Sequence, residues 1–186
     1  DKPAGTAPIL ATYLKQAQAK YEHSLLFHNG DSVGASAPIS SLERDEPTME
    51  WLNMMGFDVG SLGNHEFDQG IAALKAQIKG GLDPKDGIVT HKGANFSYVN
   101  ANVIEEATNK PLIDPYVIKE VGGVKIGFIG LVTKSTPAKV SPAPVGSNTS
   151  SNGNAGAKNT SSLLNSKAPC SPFLMIMYLG PISWIF

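Results

Sequence analysis

Along residues 6–132 the apolar positions switch between helical spacing and short unbroken runs. In "TAPILATYLKQAQAKYE" (6–22), Leu10, Tyr13, Leu14, Ala17 and Tyr21 share one face, which predicts an amphipathic helix capped by Thr6. "SLLF" (24–27) predicts a short buried strand, ended by "HNGDSVG". A second helix is expected in "DEPTMEWLNMMG" (45–56), with Asp45 as cap, Pro47 near its first turn and Gly56 as its stop. "FDVGSL" (57–62) reads as a second strand, and "QGIAALKAQIKGG" (69–81) as a helix with Ile71, Leu74 and Ile78 on one face. "FSYVNANVI" (96–104) reads as a third strand. The clearest signal is "YVIKEVGGVKIGFIGLV" (116–132), two β-rich runs around Gly122-Gly123 that predict a hairpin.

Alternation of helix and strand predicts an α/β layered fold. Past Thr136 the pattern stops. Residues 141–168 are rich in Ser, Asn, Gly and Ala, bury too little apolar surface to offset ordering entropy, and are expected to be disordered. Residues 169–186 then form a strongly apolar tail, interrupted by Gly180-Pro181 and too short to cross a bilayer as one helix. That tail is read as a membrane or partner anchor, or as an unrelated fusion remnant. The domain division is thus 1–140, 141–168 and 169–186.

Composition narrows the function classes. At 186 residues there is room for one domain with a sizeable core. A net charge of -1 gives no electrostatic case for a nucleic-acid partner. The single cysteine, Cys170, excludes an intrachain disulfide and a cysteine-based zinc site. No basic and apolar leader precedes "DKPAGTAPIL", so no signal peptide is expected within these residues.

The candidate chemistry lies at two strand-to-loop corners, "NGDSVG" with Asp31 and "GNHEFD" with Asn64, His65 and Asp68. If their strands are neighbours, both loops share the rim where α/β folds place ligands. A carboxylate and an amide carbonyl are hard oxygen ligands, and imidazole is a borderline one. The mixture suits Mn, Zn or Fe(II). Asp31, flanked by glycines, is placed to bridge two metals, and Asn64 to ligate one of them. His65 would then face the substrate, with Asp68 holding its ring; Asp68 is also a candidate cap for the helix that follows. Glu66 is read as a solvent-facing acid or one supporting its neighbours from behind. His28 is read as a strand histidine satisfied by its neighbours, His23 and His91 as surface residues, and Asn102 as a strand or turn amide.

"NGDSVG" and "GNHEFD" together resemble two motifs of the calcineurin-like metallophosphoesterase superfamily. "APILATYLKQ", "GNHEFDQG" and "VGGVKIGFIGLVT" resemble its 5'-nucleotidase / 2',3'-cyclic-nucleotide phosphodiesterase branch, over residues 4–140. The resemblance implies a layered β-sandwich flanked by helices and hydrolysis of nucleotide phosphomonoesters or cyclic diesters. It also implies an extracytoplasmic location and two divalent ions of the Mn, Zn, Fe or Co type. Asp31 and Asn64 correspond to metal ligands, and His65 and Asp68 to the catalytic pair. The family's opening D-x-H motif does not precede the first helix, and no histidine follows His91. The chain is therefore expected to be incomplete at both ends, with weak or no activity. The alternative is a non-catalytic fragment with residual metal or phosphate binding.

Overall fold

A computed structural model describes residues 6–105, 108–133 and 136, together with the backbone of two strands, Ala157–Asn159 and Phe173–Tyr178. Its central feature is a parallel sheet of β1 (Phe27–His28), β2 (Val59–Ser61) and β5 (Ser97–Val99), in the order β1-β2-β5. Phe27 lies opposite Val59, and Val59 opposite Ser97. Parallel neighbours require crossovers. Helices α2 (Pro38–Ser41) and α3 (Glu46–Met55) lie between β1 and β2; α4 (Ile71–Lys79) lies between β2 and β5. Both loops that leave β1 and β2 therefore emerge from the same edge of the sheet, at the carboxyl ends of its strands.

A second, antiparallel sheet packs against the first. It holds β8 (Tyr116–Val121) and β9 (Val124–Leu131), joined at Gly122 and Gly123, whose φ values of 57° and 75° are the positive ones a two-residue hairpin turn requires. The strand at Phe173–Tyr178, β11, adds antiparallel to β9, with Phe173 opposite Leu131 and Tyr178 opposite Ile126. Val59, Val99 and Phe128 fill the space between the sheets, fully buried or nearly so. A larger core, including Met49, Leu52, Leu62, Phe67 and Leu74, joins α3 and α4 to the parallel sheet. Two small ladders complete the description: β3 (Gly81–Leu82) with β4 (Thr90–His91), and β6 (Val103–Glu105) between β7 (Lys110–Pro111) and β10 (Ala157–Asn159).

Several local expectations are corrected. The first helix, α1, spans Ala7–Gln18, but none of its residues is buried, and Thr6 makes no side-chain capping bond. The first strand begins at Phe27 rather than Ser24; before it, Leu26 N–H donates to the Asp58 carboxylate and Asp58 N–H to the Leu26 carbonyl. The third strand is two strands, β5 and β6, in different sheets. Asn100 breaks it, because its side-chain oxygen accepts the N–H groups of Asn102 and Val103 and so competes with the ladder. Asn102 is a buried turn amide that bonds the Val132 backbone in both directions. Pro47 and Gly56 do start and stop α3, whereas Asp45 sits at its cap position with a φ of 63° and no capping bond. His91 is not a surface residue: it is buried, with Nδ1 2.9 Å from Glu46 and Nε2 3.1 Å from Asp83. His23 is exposed, as read.

Part of the segment read as disordered, Ala157–Asn159, pairs with β6, and part of the apolar tail pairs with β9; the rest of both lies outside the described residues. Among the described residues, no helix is long and apolar enough to cross a membrane.

The two sheets meet closely at Gly130, where a Cβ would overlap the Val99 carbonyl. Gly130→Ala is expected to cost about 1–3 kcal/mol through overpacking. Gly56→Ala, with nothing within 4 Å but a φ of 71°, tests backbone strain alone, about 1 kcal/mol. Urea unfolding of the two variants separates these terms, and equal or smaller loss at Gly130 would contradict the close stacking.

Candidate active site

The two loops at the strand ends are fitted together by glycine. A side chain at Gly30 would strike the Gly63 backbone, one at Gly63 would strike Asp31, and one at Gly34 would strike the His65 carbonyl. Gly30 and Gly34 also have φ values of 91° and 98°, which L side chains rarely adopt. Only with no Cβ at these positions can the "NGDSVG" and "GNHEFD" loops touch backbone to backbone.

Glu66 ties them. It is 2% exposed, and its carboxylate accepts N–H bonds from Asp31 and Ser32 in one loop, each at 2.8 Å, and from Gly63 in the other at 2.6 Å. Of the two readings, solvent-facing is wrong; Glu66 is an internal support. Its burial pushes the carboxyl up to about 7, against the opposing pull of the three N–H donors. Nothing in the sequence separates this acid from its exposed neighbours; the signal is the set of glycines around it, which implies a tight crossing that some acceptor must satisfy.

The clasp sets the remaining groups. Asp31 is exposed and left-handed, with a φ of 54°, and its Oδ1 accepts the His65 N–H at 3.0 Å. Asn64, half-buried, opens the one-turn 3-10 helix His65–Phe67 without capping it through its side chain. Asp68 closes that turn and places its Oδ2 2.7 Å from His65 Nδ1. The hydrogen bond that the His65 ring donates to Asp68 raises its affinity for a proton, opposed by partial burial and aided by the charges of Asp68, Asp31 and Glu66. Helix α4 is preceded by Gly70, with no side-chain capping bond, so the alternative capping role of Asp68 is not seen.

The structure thus gathers Asp31, Asn64, His65 and Asp68 on one rim. Asp31 and Asn64 offer hard oxygen donors of the kind a divalent cation takes. Among the described residues, however, no group of three or more His, Cys, Asp or Glu could hold a metal ion. A complete dinuclear centre does not fit on these residues alone.

The Glu66 carboxyl gains proton affinity on folding. The stability this contributes is present in full below pH 4.5 and is lost as pH rises through about 7, on the order of 3 kcal/mol in all. Glu66→Gln turns an amide NH2 towards backbone donors and is expected to cost about 1–3 kcal/mol at pH 5. The gap from the parent should narrow between pH 5 and 8 in urea unfolding; a widening gap would contradict the buried acid.

No family model matches the chain. Endonuclease YhcR of Bacillus subtilis is 44% identical over 142 residues, 76% of this chain and 12% of its own. Cell wall protein Lmo0130 of Listeria monocytogenes is 39% identical over 73% of this chain and 19% of its own. A snake venom 5'-nucleotidase of Gloydius brevicauda is 35% identical over 72% of this chain and 21% of its own. The chain therefore spans 12–21% of the length of these curated relatives. Among solved structures, the 5'-nucleotidase precursor of Thermus thermophilus superposes with a TM-score of 0.59 at 27% identity, over 76% of this chain and 26% of that one. The chain belongs to the 5'-nucleotidase family of calcineurin-like metallophosphoesterases, and it carries part of that domain.

Proposed function

We propose that these residues form one part of the catalytic rim of a metal-dependent, extracytoplasmic phosphoesterase acting on nucleotides. In this reading Asp31 and Asn64 are metal ligands, and His65 with Asp68 is the catalytic pair. The observation that carries it is the His65–Asp68 contact of 2.7 Å, set by the same turn that brings His65 N–H to Asp31. The family supports a nucleotide phosphoester as substrate. The relative named as a cell wall protein supports the location.

The chemistry follows from the groups present. Asp68 accepts from Nδ1 and so keeps His65 protonated to higher pH than an ordinary histidine. The ring edge opposite that bond is free to donate a hydrogen bond to a phosphoryl oxygen, or a proton to the departing alkoxide of the nucleoside. Asp31 keeps one carboxylate oxygen clear of the His65 N–H, and with the Asn64 amide it would hold a divalent ion. When bound, such an ion supplies charge neutralisation at phosphorus and an activated water. A second reading, a fragment that binds metal or phosphate without turnover, is favoured by one observation: the described residues bring no three-residue ligand cluster together.

The chain with added Mn is expected to hydrolyse AMP or p-nitrophenyl phosphate weakly, with His65→Ala lowering the rate by about 10²–10⁴-fold. Asp68→Asn should lower the pKa of His65 in an NMR titration and move the loss of activity at rising pH to lower pH. Undiminished turnover by His65→Ala would overturn the catalytic assignment. Where turnover is absent, calorimetric Mn titration decides for the binding fragment: the heat should vanish in Asp31→Ala.

A further inference from the structure

His28 ends β1, three residues before Asp31, and its ring is enclosed by aromatic side chains. Phe57, Phe96 and Tyr98 present their faces or edges at centroid distances of 5.6, 5.7 and 5.3 Å, tilted by 71°, 86° and 73°. A side chain at Gly60 would collide with the ring, so the neighbouring strand also closes over it. In such surroundings an apolar residue would fit without penalty.

The ring nevertheless does a specific job with one nitrogen. Nδ1 lies 3.2 Å from Gly30 N and 3.0 Å from Ser32 Oγ. A backbone N–H can only donate, so Nδ1 is the unprotonated nitrogen, the Ser32 hydroxyl donates to it as well, and Nε2 carries the hydrogen. Burial depresses the pKa to about 4, which keeps the ring in this neutral form. The cost falls on the other nitrogen: Nε2 is buried and has no hydrogen-bond partner among the described residues.

The two donors that Nδ1 accepts flank Asp31 on both sides. Asp31 itself stands at a φ of 54°, a conformation its own side chain disfavours and its neighbours must impose. Glu66 holds the Asp31 and Ser32 amides from the far side of the turn. His28 holds the Gly30 amide and the Ser32 hydroxyl from the strand side. We infer that His28 is a positioning residue for Asp31, kept at a buried and half-satisfied position because its Nδ1 fixes the Gly30 amide on one side of that carboxylate and the Ser32 hydroxyl on the other. The inference rests on the reading of Asp31 as the ligand-bearing acid of the rim.

Two substitutions separate positioning from packing. His28→Leu keeps apolar bulk in the cage and removes the acceptor. His28→Asn leaves a void and a polar group but puts a side-chain oxygen near the place of Nδ1. In urea unfolding the Leu variant should be the more stable of the two. Amide hydrogen exchange at Gly30 should run the other way, about tenfold faster than the parent in His28→Leu and near the parent in His28→Asn. Mn affinity by calorimetry should follow the exchange order. Exchange at Gly30 unchanged in His28→Leu, or site readouts that simply follow stability in both variants, would overturn the inference. Asp31→Ala keeps the two readings apart. If it leaves Mn binding intact, the ligand role of Asp31 fails, while the exchange measurement still decides whether His28 holds the turn.

Discussion

One buried carboxylate holds the rim together. The loops carrying Asp31 and His65 belong to successive crossovers of a parallel sheet, and such loops ordinarily diverge as the strands twist. Here the Glu66 carboxylate sits between them and takes N–H groups from both sides. A carboxyl oxygen accepting backbone donors in a buried place makes hydrogen bonds that gain from the low local dielectric. The geometry depends on glycine as much as on the acid, because a Cβ on Gly30 or Gly63 would hold the backbones apart before the carboxylate could reach them.

That arrangement divides labour among the acids. Glu66 is buried and committed to backbone amides, so it shapes the loops and presents no oxygen to solvent. Asp31 is exposed, takes only the His65 N–H on Oδ1, and keeps its other oxygen uncommitted to that bond. Asp68 is spent on the His65 ring. Acids so close in sequence would repel one another if all faced the same solvent; the imidazole lies beside them and gains proton affinity from their combined field. The rim thus sets several acids around one imidazole, whose proton affinity is raised first by its hydrogen bond to Asp68 and then by their charges.

Features that depend on local sequence were legible before the structure. The hairpin follows from Gly122-Gly123 between β-rich runs, and α3 from Pro47 at its start and Gly56 at its end, each a backbone constraint written into the residue itself. The convergence of the two motif loops was also accessible, since parallel strands in a βαβ arrangement leave the sheet on one edge. Features set by distant partners were not. His91 looks like a surface histidine until Glu46 and Asp83 are brought to its two nitrogens. Asn100 looks like a strand residue until its amide captures the next backbone N–H groups. The apolar face of α1 promised burial, but a helix buries its face only where another element covers it, and among the described residues none does so fully. Glu66 was the costliest ambiguity: solvent-facing and supporting acids have the same identity and spacing, and only burial separates them.

The protein contacts at the rim also bear on how it would take a ligand. The Asp31 and Ser32 amides donate to Glu66 and the Gly30 amide to His28, which holds Asp31 in its left-handed conformation, and His65 is fixed by Asp31 and Asp68. None of these bonds is made by an outside group. A loop ordered by its own residues loses less conformational freedom when a cation or phosphate arrives, and more of the interaction energy remains as affinity. The Nε2 of His28, buried with no hydrogen-bond partner among the described residues, the positive φ of Asp31 and the buried carboxyl of Glu66 each carry a cost, and they lie around one exposed carboxylate. Costs of this kind persist where the geometry they secure matters more than the stability they forgo. All three bear on Asp31, the carboxylate on which the architecture of this rim converges.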